Sequence, residues 1–194
     1  MDKLFLGLFL SLFFFSCKEN VKESVVDEST EIENVEVVND SIPSAAEGDK
    51  KAPDFSLMDI DGNLKSLDSY KGKLVLLDIW ATWCGPCLAN VPYIKELEEK
   101  YKDKNFQVLS VSIDAEKDKE KWKNMVIDKK MAGEHLFAGV ESRFPLDYQI
   151  TYIPRFVLIS PDGKIINDDA PQVINEAGNG IDQDLIELIN QNLK

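Results

Sequence analysis

Residues 74–87 read LVLLDIWATWCGPC. The first half of this segment is a nearly unbroken apolar run of strand length, which predicts a central strand over Leu74–Trp80 that is buried on both faces. Two cysteines follow, Cys84 and Cys87, and the apolar spacing of residues 86–100 predicts a helix. The cysteine pair is therefore expected at the junction between a buried strand and a helix.

The position of the pair favours thiol chemistry. Two thiols separated by two residues at such a junction can close a disulfide with little backbone movement. Cys84 would lie at the N-terminus of the helix, where unpaired backbone amides and the helix dipole favour a thiolate. Because the thiolate is the attacking species in disulfide exchange, we expect Cys84 to be the nucleophile and Cys87 to resolve the mixed disulfide.

Other uses of a cysteine pair fit less well. A zinc site needs four ligands, and beyond the pair the chain offers only Cys17 and its single histidine, His135. A haem-attachment motif needs histidine directly after the second cysteine, where Leu88 stands. A purely structural disulfide is an alternative, although so short a loop constrains the unfolded chain weakly. We therefore expect no metal and no cofactor.

The chain from residue 51 onwards alternates between strand and helix patterns. Further strands are predicted at residues 55–60, 106–113, 155–160 and 164–167, and further helices at residues 116–130 and 182–192. The resulting order β-β-α-β-α-β-β-α predicts an α/β fold with a mixed central sheet flanked by helices, because parallel neighbours need crossover helices. Residues 51–194 are therefore expected to form one domain.

The N-terminal residues predict export. The apolar run of residues 4–15 is about a dozen residues long, too short to span a membrane and suited to the core of a signal peptide. It ends at Ser16-Cys17. A small residue before a cysteine at this place resembles a bacterial lipoprotein signal, in which the chain is cut before the cysteine and its sulfur is acylated. We predict a signal peptide over residues 1–16 and lipidation of Cys17, with an ordinary secretory signal as the alternative.

Residues 17–50 carry much of the net charge of −13. Only three lysines oppose their ten acidic residues, which are Glu19, Glu23, Asp27, Glu28, Glu31, Glu33, Glu36, Asp40, Glu47 and Asp49. Such a composition cannot bury enough apolar surface to offset the entropy of ordering, which predicts a disordered, lipid-anchored acidic linker. The chain also lacks the clustered Lys and Arg that bind nucleic acid, so no nucleic-acid partner is expected.

The cysteine segment also carries a family resemblance. Residues 78–87, DIWATWCGPC, look like the active-site segment of thioredoxins. With residues 52–55 (APDF) and 152–156 (YIPRF), they are similar to the envelope thioredoxins of the TlpA and ResA type. The resemblance covers about residues 51–194 and implies a thioredoxin fold with an N-terminal β extension and a central insertion.

The resemblance implies roles for residues around the pair. Pro154 matches a cis-proline that packs against the disulfide in the family, and the backbone of Ile153 would pair with the substrate chain. Asp78 would be the buried carboxyl group that moves the proton of the resolving thiol, with a pKa raised by desolvation. A hydrogen-bonded structural aspartate is the alternative. Trp83 is expected to shield the disulfide at the substrate surface, whereas Trp80 is expected in the core.

Two positions depart from the relatives. The lysine that accompanies the aspartate in cytosolic thioredoxins corresponds to Ser110, and the acidic residue that many envelope relatives carry three positions after the second cysteine is Asn90. The route of the proton is therefore expected to differ in detail.

The predicted function is a thiol-disulfide oxidoreductase of the cell envelope that reduces disulfides, because Gly-Pro between the cysteines resembles the reducing thioredoxins. By resemblance, a membrane dithiol protein would donate the electrons and the clients would be disulfide-bearing envelope proteins such as apocytochromes. One alternative is a peroxiredoxin-like thiol peroxidase, whose pocket needs Thr or Ser where Ala81 stands. The other is a non-catalytic lipoprotein that binds clients around Trp83 and Pro154.

Overall fold

The structure is a computed structural model that describes residues 50–193. The predicted signal peptide, the predicted lipidation site Cys17 and residues 17–49 of the predicted linker lie outside this range and stay predictions. No helix in the described range is both long and apolar enough to cross a bilayer.

Seven strands of the described chain form one mixed sheet in the order β2-β1-β5-β4-β3-β6-β7. The strands are β1 (Ser56–Asp59), β2 (Leu64–Ser66), β3 (Leu74–Trp80), β4 (Phe106–Ser112), β5 (Glu134–Phe137), β6 (Arg155–Ile159) and β7 (Ile165–Ala170). The helices are α1 (Gly85–Tyr101), α2 (Lys119–Asp128), α3 (Phe144–Asp147) and α4 (Gln183–Asn192). Short 3-10 helices cover Leu67–Tyr70 and Glu116–Asp118.

The central strand is β3, as the apolar run predicts. All of its residues are buried, and it pairs with β4 in parallel and with β6 in an antiparallel register. The parallel pair is connected through α1, which is the crossover that parallel neighbours require. The predicted mixed sheet with flanking helices and the thioredoxin fold are thus confirmed.

The predicted N-terminal extension is a hairpin of β1 and β2, which joins the sheet because β1 pairs with β5. The strands β2 and β5 were not predicted. In β2 the three residues include the polar Lys65 and Ser66, and β5 begins with Glu134-His135, so neither shows an apolar alternation. Together β5 and α3 form the predicted central insertion between α2 and β6.

Two predicted boundaries are wrong for identifiable reasons. The helix expected over residues 116–130 is a 3-10 helix followed by α2, which ends before Lys130, whose φ of 48° is left-handed. The strand β7 continues to Ala170 through Asp168 and Asp169, residues that are rare in strands. Arg155 of β6 stabilises this extension, because its Nε atom donates to the carbonyl oxygen of Asp168 at 2.6 Å and lies 3.3 Å from Asp169 Oδ1.

The sheet separates two apolar cores. Leu76 and Leu77, neighbours on β3, belong to different cores because successive strand residues point to opposite faces. The disulfide-side core includes Leu77, both cysteines and the buried Trp80 and Trp122, and the helix-α4-side core includes Leu76, Leu97, Leu158, Leu185 and Ile189. The cysteine pair is therefore built into the packed core of one face.

Candidate active site

The cysteine pair lies where β3 passes into α1. After Trp80 the chain makes a tight turn, in which the backbone amide of Cys84 donates to the carbonyl oxygen of Ala81 at 3.0 Å. Cys84 is the N-cap of α1, and its Sγ atom accepts a hydrogen bond from the amide of Cys87 at 3.2 Å. A disulfide joins Cys84 and Cys87, with their Cα atoms 5.3 Å apart.

The two cysteines are almost completely shielded from solvent. Cys84 and Cys87 are only 4% and 3% exposed. After reduction, the Cys84 sulfur would face the free amides at the start of α1, which stabilise a negative charge. The predicted place of Cys84 at a helix N-terminus is confirmed, and the arrangement favours Cys84 as the thiolate.

Asp78 is a buried carboxyl group on β3. It lies opposite Ser110 of β4, whose hydroxyl donates to Asp78 Oδ2 at 2.9 Å. Burial raises the pKa of Asp78 to about 7, against the smaller, opposite effect of the Ser110 hydrogen bond. Ser110 thus supplies a neutral donor where a lysine would supply a charge. A carboxyl group of this pKa can both accept and release a proton near neutral pH.

The predicted substrate-side residues lie in two loops. The bond between Ile153 and Pro154 is cis, as predicted. The side chain of Ile153 packs against the core that contains both cysteines. Trp83 is 65% exposed, whereas Trp80 is 1% exposed and belongs to that core, as predicted. The substrate-binding roles of Trp83, Ile153 and Pro154 stay predictions.

A cluster next to the cis bond was not predicted. The guanidinium of Arg155 lies 5.1 Å from the centre of the Tyr152 ring, and the Tyr152 hydroxyl donates to Asp169 Oδ2 at 2.6 Å. Asp169 also pairs with Arg155. These contacts fix a half-exposed aromatic ring beside Ile153. The two neighbouring aspartates of β7 were the only signal of this cluster in the sequence. Nothing in the sequence indicates that they face the guanidinium of Arg155.

Asn90 connects α1 with the segment before α4. It is fully buried, and its Oδ1 atom accepts from the amide of Ile174 at 2.8 Å. Its Nδ2 atom donates to the carbonyl oxygen of Pro86 at 3.1 Å and to Gln172 Oε1 at 3.4 Å. The position that is acidic in many relatives is thus a neutral link between the cysteine turn and residues 172–174.

A second buried carboxyl group, Asp114, was also missed. It lies two residues after the end of β4 and contacts Thr82, which stands in the turn before Cys84. The available signal in the sequence was an acidic residue directly after an apolar strand. For Asp78 the signal was an acidic residue inside such a strand.

Known proteins with similar sequences are thiol-disulfide oxidoreductases, in agreement with the chemistry of this site. A model of the Redoxin family matches residues 46–185. The thiol-disulfide oxidoreductase ResA of Bacillus thuringiensis subsp. konkukian (strain 97-27) is 34% identical over 129 residues, which cover 61% of this chain and 67% of the relative.

Solved structures agree as well. The thioredoxin domain of a thiol-disulfide oxidoreductase from Bacteroides vulgatus has a TM-score of 0.62 at 27% identity, covering 78% of this chain and 100% of that one. A thiol-disulfide oxidoreductase from Bacteroides fragilis NCTC 9343 also has a TM-score of 0.62 at 27% identity, covering 73% of this chain and 98% of that one. The chain therefore belongs to the Redoxin family and is a thiol-disulfide oxidoreductase of the ResA type within the thioredoxin superfamily.

Proposed function

We propose that this oxidoreductase reduces disulfides in exported proteins. The observation that carries the proposal is the cysteine pair at the N-terminus of α1, with a buried carboxyl group of pKa about 7 on the preceding strand. The Gly85-Pro86 pair between the cysteines supports the reducing direction, because it resembles the reducing thioredoxins.

The exchange takes two steps. The Cys84 thiolate attacks one sulfur of the client disulfide, so that a bond forms between Cys84 and the client while the client's own disulfide breaks and releases a thiolate. Cys87 then loses its proton and attacks the Cys84 sulfur. The Cys84–Cys87 disulfide forms, the mixed disulfide breaks, and the client leaves as a dithiol after taking up protons. The client gains two electrons, and this chain loses them.

In this scheme Asp78 accepts the proton that Cys87 loses. Burial holds the carboxyl pKa at about 7, so the ionised form that accepts the proton and the neutral form that releases it are both populated near neutral pH. Ser110 orients one oxygen of Asp78 through the hydrogen bond at 2.9 Å. The cycle closes when a dithiol protein of the membrane reduces the Cys84–Cys87 disulfide.

We further propose that the domain works outside the cytoplasm, held to a membrane through acylated Cys17. The short apolar run of residues 4–15 and the cysteine that follows Ser16 support this location. The clients would then be disulfide-bearing envelope proteins, among them apocytochromes.

Trapping in cells tests the attacking residue and the clients. In the Cys87→Ser variant the mixed disulfide on Cys84 cannot be resolved, so we expect covalent adducts that disappear on treatment with dithiothreitol. Mass spectrometry would identify the trapped clients, and the matched Cys84→Ser variant should trap far fewer. Adducts that are equally abundant on both variants would refute Cys84 as the attacking residue.

Metabolic labelling tests the anchor. Cells that grow with an alkyne-tagged palmitate should label the full chain, and the Cys17→Ser variant should lose the label and leave the membrane fraction. Equal labelling of the two proteins would refute lipidation at Cys17.

A further inference from the structure

The Asp114 carboxylate is fully buried and directs most of its hydrogen bonds to one residue. The backbone amide of Thr82 donates to its Oδ1 and Oδ2 atoms at 3.1 and 3.0 Å, and the Thr82 hydroxyl donates to Oδ1 at 2.7 Å. The hydroxyl of Ser112 donates to Oδ2 at 2.8 Å. A buried carboxylate needs such donors, because an unpaired one would be costly.

Thr82 occupies the turn that presents the reactive cysteine. This turn runs from Ala81 to Cys84 and is closed by the hydrogen bond between their backbone atoms. Trp83, the next residue, is mostly exposed, while the Cys84 sulfur is held at the start of α1. Because Thr82 is bound through both its backbone and its side chain, the turn has little freedom to rotate Trp83 or Cys84.

Asp114 is itself held firmly by the sheet side of the molecule. Its backbone amide donates to Ser112 Oγ at 3.1 Å, and its carbonyl oxygen accepts from the amide of Val140 at 3.2 Å. The contact with Thr82 therefore joins the turn that carries Cys84 to a fixed point after β4.

We infer that Asp114 is a positioning residue for disulfide exchange, which acts through Thr82 to hold Trp83 and Cys84 in the geometry needed for attack on a client disulfide. The inference rests on the proposed exchange at Cys84 and adds to it a residue outside the cysteine segment. Precise placement of a nucleophile contributes to the transition state more than to client binding.

Substitutions of Thr82 test this inference without removing a buried charge. Thr82→Val keeps the side-chain volume and the backbone contacts but loses the hydroxyl donor, so the fold is retained. We expect it to lower kcat for reduction of a model disulfide on the order of tenfold with KM nearly unchanged. We also expect slower alkylation of reduced Cys84 by iodoacetamide. Thr82→Ser, which keeps the hydroxyl, should restore both rates.

Two further variants sharpen the test. Asp114→Asn should lower kcat at least as far, because its amide hydrogens would face the donors of Thr82 or Ser112. Asp59→Asn is the matched control, since Asp59 ties the β1–β2 turn through the amides of Asp61 and Asn63 at the far edge of the sheet. It should leave kcat and Cys84 alkylation unchanged.

Two outcomes would overturn the inference. One is a Thr82→Val enzyme with wild-type kcat and wild-type Cys84 alkylation, which would leave Asp114 a purely structural role. The other is a Thr82→Ser enzyme as slow as Thr82→Val, which would trace the defect to packing. Failure of the wild-type protein to reduce any disulfide would instead count against the proposed direction, because the alkylation rate of Cys84 reads the role of Asp114 independently of electron flow.

Discussion

Asp78 and Asp114 are both buried carboxyl groups, yet their hydrogen-bond partners differ. Asp78 receives one hydrogen bond, from Ser110, so burial dominates and raises its pKa to about 7. Asp114 accepts from the amide and hydroxyl of Thr82 and from the hydroxyl of Ser112. One carboxyl group is thus suited to exchanging a proton, and the other to holding a turn.

The raised pKa of Asp78 makes stability depend on pH. Between its unfolded pKa of 3.8 and its folded pKa of about 7, the native state keeps a proton that the unfolded state has lost. The stability that Asp78 contributes is therefore fully present below pH 4 and is lost as pH rises through 7. Relative to the Asp78→Asn variant, wild-type protein should lose about 2–3 kcal/mol of unfolding free energy between pH 5 and pH 8.

Urea denaturation of the oxidised proteins at the two pH values measures this difference. Asp68→Asn is a suitable control, because Asp68 is exposed and its hydrogen bond to Lys71 lowers the pKa of that carboxyl. Because the pKa of Asp68 lies below 3.8, this carboxyl group is ionised in both states at the two pH values, so the difference between wild type and Asp68→Asn should stay constant between pH 5 and pH 8. A difference between wild type and Asp78→Asn that stays constant with pH would contradict the raised pKa.

At the residue scale the sequence identifies those functional side chains that can be recognised within one short segment. Cys84 and Cys87 are separated by two residues, and Asp78 stands inside an apolar strand, so both features are visible in one segment. Thr82 and its partner Asp114 are 32 residues apart, as are Asp78 and Ser110. Each sequence position shows a polar group without showing its partner, so these contacts follow only from the fold.

At the scale of elements, α1 is held at its first turns by Asn90. This buried side chain supplies the acceptor for the Ile174 amide at 2.8 Å. The hydroxyl of Tyr93 adds a contact one turn further on, donating to the carbonyl oxygen of Gly178 at 2.9 Å. The segment before α4 therefore attaches to the same helix that carries the cysteines.

Replacement of the buried Asn90 by alanine should destabilise the protein by about 2 kcal/mol, because the Ile174 amide loses its acceptor. Chemical denaturation gives this value, and hydrogen exchange should become faster at Ile174. Asn175→Ala is the matched control, since the side chain of Asn175 bonds to Asn179 within the same loop. An Asn90→Ala variant no less stable than this control would contradict the proposed link.

Element prediction succeeds where periodicity is long. The apolar run of β3 and the spacing along α1 each extend over several residues and were recognised with nearly correct ends. The strands β2 and β5 have three and four residues, and β5 is a strand because it lies between β1 and β4. Such pairing depends on segments far away in the chain, which a local pattern does not contain.

At the scale of the whole molecule, the sheet divides the interior into two cores with different relations to the site. Leu109 belongs to the core that contains Cys84 and Cys87, and Leu158 belongs to the core covered by α4. Both leucines are completely buried. The buried run of β3 predicted this division, because a strand buried on both faces requires a core on each side.

Equal cavities in the two cores should therefore have unequal effects on activity. Leu109→Ala and Leu158→Ala should each cost about 2–5 kcal/mol of unfolding free energy. Well below the melting temperature, we expect Leu109→Ala to lower kcat for disulfide exchange several-fold, because Leu109 belongs to the same packed core as both cysteines. Leu158→Ala should keep the wild-type kcat. Denaturation and steady-state kinetics on the same samples measure both quantities. An equal loss of kcat in the two variants would contradict this prediction.

The three tryptophans of the chain occupy two kinds of environment. Trp80 and Trp122 are each 1% exposed, whereas Trp83 is 65% exposed and directly precedes Cys84. A collisional quencher such as iodide, which stays in water, would thus reach one indole only. The quenchable part of the intrinsic fluorescence is a built-in optical probe of the surface beside the disulfide, and it would report a docking client without any added label.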